Sequence, residues 1–145
     1  MQAGPHSQVQ RCITWPSAHA AAGAAVKAAE AMGVRVNVAI VDAGGTLAAF
    51  LRMPGAPLHS VEIAIDKAYT AASFGLGTHR WTEVLATHSP AVRDGLVQRP
   101  RFVAFGGGLP LVEGEQTIGA IGVSGASEEQ DQAVARAGAA ALGLA

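Results

Sequence analysis

Cysteine is almost missing from this 145-residue chain: Cys12 stands alone, which excludes an intrachain disulfide and any cysteine-based zinc cluster. A lone cysteine also fits a reducing compartment, so a cytoplasmic location is expected. Charge is scarce at 14% of residues and favours neither sign, with ten Lys and Arg against eleven Asp and Glu. No basic field exists to hold a phosphate backbone, so nucleic acid is not an expected partner. No stretch reaches the roughly 18 uninterrupted apolar residues of a membrane span, and Met1 to Gln8 lacks a basic region leading into an apolar one. Neither a spanning helix nor an export signal is read. Half of the residues are apolar and the mean hydropathy is +0.28, so charge is too sparse to cover the surface. Self-association into a homo-oligomer is the expectation.

The pattern along the chain gives one domain over residues 14–145 behind a flexible tail, residues 1–13. Thr14 before Trp15-Pro16-Ser17 reads as a helix cap, with proline in the first turn and an alanine-rich run that stops at Gly33. Val34 to Val41 and Thr46 to Met53 read as two strands joined by Asp42-Ala43-Gly44-Gly45. Leu58, Val61, Ile65, Ala68 and Ala72 recur at helical spacing and predict a second helix ending near Phe74. Thr78 is expected to cap a shorter helix to about Thr87, with Ser89-Pro90 ending it before an irregular stretch to Arg101. Phe102 to Phe105 and Leu109 to Glu113 flank Gly106-Gly107-Gly108, and Gln116 to Ser124 alternates as the return strand of a second hairpin. Ser127 and Gln130 form a capping box before the last helix. Helix, hairpin, helices, hairpin, helix is the order of an antiparallel sheet carrying packed helices, an α+β arrangement.

Four runs carry a family likeness: Val38 to Gly45, Ile63 to Ala72 (with Asp66-Lys67-Ala68-Tyr69 at its centre), Phe105 to Pro110, and Ile118 to Gly125. In this order and spacing the chain resembles the GlcG/HbpS-like proteins, which include the C-terminal domain of PduO-type proteins. The resemblance implies a profilin-like α/β (α+β) fold with a central antiparallel sheet and oligomers built from dimers. In several members it also implies binding of haem or a related tetrapyrrole. No residue here inherits the role of iron ligand from a motif.

His59, Glu62 and Asp66 fall at i, i+3 and i+7 of the second helix, one face that offers an imidazole and two carboxylates to iron or a divalent metal. The alternative is acids that complement a helix start and face water. His79 and Glu83 are also one turn apart, and His88 suits a helix end. Lys67 and Tyr69 lie on the family-matched helix. Lys67 either pairs with a substrate carboxylate or lays its stem on the sheet edge with its ammonium in water. Asp42 either closes its turn or presents a carboxylate at a site mouth.

Gly106, Gly107 and Gly108 are not a phosphate loop, having no Gly-Lys-Ser/Thr ending, but they let a flat ligand or another backbone approach closely. Gly122-Val123-Ser124-Gly125 leaves a strand and leads to the Ser127 helix start, which marks a corner for an anion at Ser124. Arg99 and Arg101 around Pro100, together with Arg93 and Arg52, are candidates to clamp carboxylates. No Gly-x-Ser-x-Gly elbow occurs, so serine hydrolase chemistry is not expected.

The leading expectation is a small-molecule binder: a protein that takes a planar, carboxylate-bearing ligand such as haem through Arg52, Tyr69, Arg99, Arg101, the three glycines and Ser124. The alternative is a small enzyme that acts on an acidic molecule with His59 or His79 as general base and Lys67 as anchor, with metal assistance.

Overall fold

A computed structural model describes residues 4–144. Residues 1–3 of the expected tail, and Ala145, lie outside the described residues. Five α-helices, α1 (Trp15–Ala31), α2 (His59–Phe74), α3 (Trp81–Ala86), α4 (Pro90–Leu96) and α5 (Glu128–Ala140), accompany four strands: β1 (Asn37–Asp42), β2 (Leu47–Arg52), β3 (Gly108–Glu113) and β4 (Gln116–Ser124). The strands form one sheet in the order β2-β1-β4-β3, and every pairing is antiparallel. Two hairpins, β1–β2 and β3–β4, are thus zipped together through β1 and β4, which is the expected α+β architecture.

Side chains alternate along β1 and β4 and divide the core in two. Val38, Ile40, Ile121 and Val123 face α1 and α5, where the alanine stripe of α1 (Ala18, Ala21, Ala22, Ala25, Ala29) meets Val134, Ala135 and Ala139. Burying each branched side chain here contributes about 1.5–3 kcal/mol. Ala39, Val41 and Ala120 face the other way, against Ala64, Ala68 and Ala71 of α2. These small residues bring backbone close to backbone: a Cβ on Gly122 would collide with the carbonyl oxygen of Ala64 and lie 2.6 Å from the Ala68 nitrogen. Helix α2 therefore lies directly on β4.

The Thr14 cap and the Ser127–Gln130 capping box form as expected. Ile13, which the sequence pattern leaves in the tail, is buried and donates its N–H to the Ile118 carbonyl at 2.9 Å. Three expectations change. The strand expected from Val34 starts at Asn37. Thr78 caps no helix. It begins a single 3₁₀ turn, Thr78–Arg80, and its hydroxyl is committed elsewhere, accepting the Gly108 N–H at 2.8 Å. Ser89-Pro90 starts a helix as well as stopping one: the Ser89 hydroxyl accepts the Val92 N–H at 3.3 Å, and proline, lacking an N–H, costs nothing in the first turn of α4.

Candidate functional site

The motif helix α2 carries Lys67 on its buried side and Glu62, Asp66 and Tyr69 on its outer side. Lys67 is 1% exposed, so its ammonium is withdrawn from water. Its ammonium donates to the Val123 carbonyl at 2.8 Å and to Asp131 Oδ2 at 3.1 Å, and sits 5.0 Å from the centroid of Phe105. Asp131 accepts the Ala126 N–H through its other oxygen at 3.0 Å. Burial pushes the Lys67 ammonium pKa down and the Asp131 carboxyl pKa up, each opposed by the attraction of its partner. Both sequence readings of Lys67 are thereby corrected, because its counter-charge is internal.

The triple glycine is the lid of this pair. A Cβ on Gly107, whose φ is +124°, would stand 2.6 Å from the Lys67 ammonium. The loop's N–H groups are consumed by side chains: Gly106 donates to Glu128 at 2.7 Å, Gly107 to Gln132 at 3.0 Å and Gly108 to Thr78. The close approach that the glycines permit is therefore made by Lys67. The anion at the corner after Ser124 is likewise the chain's own Asp131, which accepts the Ala126 N–H, and Ser124 itself is buried. Sequence reasoning missed Asp131, Glu128 and Gln132. Their signal was three acceptors on one face of α5, eclipsed by the capping box beside them.

On the outer side of α2 the structure brings together three of the predicted ligand residues. Arg101 has φ +66°, the one non-glycine residue in left-handed conformation among the described residues. It is held by an ion pair to Asp66 at 2.9 Å, by stacking of its guanidinium 3.6 Å from the Tyr69 ring centroid, and by its carbonyl accepting the Thr70 hydroxyl at 2.9 Å. Thr70 in turn accepts the Val103 N–H at 3.1 Å. A cleft of about 220 Å³ opens between Tyr69, Phe74, Leu96, Arg99, Arg101 and Phe102. Arg101 borders a second cavity of about 360 Å³ with Glu62, Ile65 and Asp66. Tyr69 and Ser73 border a third of about 100 Å³ under the β1–β2 turn, where Gly45 leaves room for the Tyr69 ring. Phe74 and Phe102 close edge to face on Trp81, both at 4.8 Å between centroids, and brace the inner wall.

The remaining candidates disperse. Arg52 donates to the Ala56 carbonyl and lines a separate cleft of about 490 Å³ with Arg35 and Met53. Asp42 closes its turn, accepting the N–H groups of Gly44 and Thr46 at 2.9 and 3.0 Å. Arg93 pairs with its neighbour Asp94 in solvent. His59, His79 and His88 are all exposed. His79 lines a cleft of about 390 Å³ with Arg80 and Arg136. Its pKa is lowered first by the partial loss of water where it rests on the cleft wall, then by the two arginines. Among the described residues no three His, Cys, Asp or Glu side chains converge to hold a metal ion, and Asp66 of the expected triad is engaged by Arg101.

A family model described as haem-degrading protein HbpS-like matches residues 13–140. The chain belongs to the HbpS-like family. An uncharacterized 15.0 kDa protein from the dhaT–dhaS intergenic region of Citrobacter freundii is a fellow relative, 38% identical over 120 residues that cover 80% of this chain and 84% of that one. The crystal structure of the Klebsiella pneumoniae protein ORFY superposes on this HbpS-like chain with a TM-score of 0.90, at 35% identity and 99% coverage of both. The crystal structure of a PduOC:haem complex matches with a TM-score of 0.84 at 36% identity, covering 92% of this chain and 97% of that one. Among the described residues no helix is long and apolar enough to cross a membrane.

Proposed function

We propose that this HbpS-like chain binds a planar, carboxylate-bearing ligand, haem or a related tetrapyrrole, in the groove over α2. The observation that carries the reading is the convergence of Tyr69 on α2 with Arg99 and Arg101 on the turn that follows α4, on an aromatic-walled cleft. Its likeness to a protein crystallised with haem supports it. The donor set fits the group: two guanidiniums suit a pair of propionates, Phe74 and Phe102 offer apolar flanks to a ring, and the Tyr69 phenol is of a type that ligates haem iron. Bound haem supplies a redox-active iron and a visible chromophore. The chain's own residues bind and orient it, with Asp66 holding Arg101 in place until a carboxylate competes for it.

A homo-oligomer built from dimers, in the cytoplasm, belongs to the same reading. Exposed Trp15, Leu58 and Leu51 are apolar surface available for such contacts.

Haemin titration tests the function. A Soret band that shifts and saturates at a simple ratio to protomer is expected, weakened in Arg99→Ala. A broad, unsaturable spectrum, equal in parent and variant, overturns the reading.

A further inference from the structure

The cleft around His79 shares no lining residue with the groove over α2. It is built where three segments meet: the turn after α2, the start of β3 and the outer side of α5. Leu76, Leu109 and Pro110 make its wall apolar, and Arg80 and Arg136 reach it from the turn and from α5. Among the described residues neither arginine makes an ion pair or a side-chain hydrogen bond. The imidazole of His79 lies against Gly77, where a Cβ would stand 2.5 Å from its Cε1 and 2.7 Å from its Nδ1, so the glycine makes its place. His79, Arg80 and Arg136 are exposed at the open side of the cleft. Two unpaired guanidiniums with an imidazole at the rim of an apolar wall match an anion that carries an apolar body, since each guanidinium offers a fork of donors and the wall receives the body.

We propose that this cleft is a second binding site, for a small organic carboxylate whose anionic end is held by Arg80 and Arg136 and hydrogen-bonded by His79. The charged groups facing His79 are Arg80 on its own turn, Glu83 on α3, and Arg136 and Glu128 on α5; the arginines lower its pKa, the two acids raise it, and the partial loss of water lowers it most. An anion seated between the arginines cancels their field and favours the imidazolium. Binding therefore takes up a proton, and ligand affinity rises as the pH falls toward the imidazole's range.

The test follows the His79 ring proton by NMR in the full chain, assigned by its loss in His79→Gln, with benzoate as probe and acetate as the control without an apolar body. The His79 midpoint is expected to rise on saturation with benzoate. Benzoate is expected to bind at least tenfold more tightly than acetate, and Arg136→Ala and Arg80→Ala each to weaken it about tenfold or more. Denaturation midpoints confirm that the variants fold, and Arg136→Lys, which keeps charge but loses the fork, is expected to fall between parent and alanine. Haemin titration of Arg136→Ala should match the parent, so this site and the groove over α2 stand or fall separately. An unmoved His79 midpoint, or equal benzoate affinity in parent and both alanine variants, overturns the proposal.

Discussion

Lys67 and Asp131, 64 positions apart in the chain, meet at 3.1 Å with side chains 1% and 4% exposed. Lys67 comes from the helix on one face of the sheet and Asp131 from a helix on the other, so the pair clasps the two layers around the end of β4. Removing one partner leaves a buried charge without its counter-charge. Lys67→Ala or Asp131→Ala is expected to cost about 3–5 kcal/mol, whereas Lys67→Met combined with Asp131→Leu, which removes both charges at similar volume, should recover most of that loss. Urea denaturation of the three variants measures this, and a double variant no better than either single one contradicts it.

Arg101→Gly separates ligand handling from folding. Glycine relieves the left-handed backbone, which for an ordinary residue costs roughly 1–2 kcal/mol, while the partly exposed pair with Asp66 contributes about 0–1 kcal/mol. Stability should stay within about 1 kcal/mol of the parent. Haemin affinity should drop about tenfold or more with loss of a guanidinium. A large stability loss with unchanged affinity would make Arg101 a structural residue only.

Gly122→Ala tests the seating of α2. The new Cβ meets backbone atoms of Ala64 and Ala68, which cannot rotate away, so the loss should reach or exceed the ~3 kcal/mol of ordinary overpacking. Gly95→Ala, in open space on the exposed helix α4, serves as control and should change little or stabilise slightly. Thermal unfolding of both proteins distinguishes local collision from a general effect of replacing glycine.

His79 makes stability depend on acidity. Its pKa in the folded chain lies below its ordinary 6.5, so the unfolded chain binds more protons between the two values. The stability this neutral imidazole contributes is fully present above pH 6.5 and is lost as the pH falls through the folded value. His79→Gln should flatten that part of the curve of unfolding free energy against pH. A slope unchanged from the parent rules the contribution out.

Much of the fold was legible because local chemistry decided it. The Thr14 cap, the Asp42 turn, the alternation in β4 and the Ser127 capping box each depend on residues within a few positions. The expected helix cap at Thr78 failed for a distant reason: its hydroxyl is claimed by Gly108, 30 positions away. The site followed the same division. Tyr69, Arg99 and Arg101 were recognisable one by one, but their meeting depends on a left-handed turn at Arg101 that no residue type announces. Lys67 was readable as important and misread in role, because its partner is fixed only by the packing of α5 beside the end of β4. Arg80 and Arg136 carried no motif, and only the fold draws them to His79.

Gly122 also bears on how such a fold changes its ligands over time. Helix α2 is laid on the sheet like a veneer, its inner surface moulded to backbone and intolerant of a single added carbon, while Glu62, Asp66 and Tyr69 ride on its outer surface. The mould and the dressing are thus separate sets of positions on one helix. Substitutions outside can rewrite what the groove accepts without disturbing how the helix seats, so diversity of ligand among proteins of this shape is expected to concentrate on the outward residues of α2 and on the Arg99–Arg101 turn that leans over them.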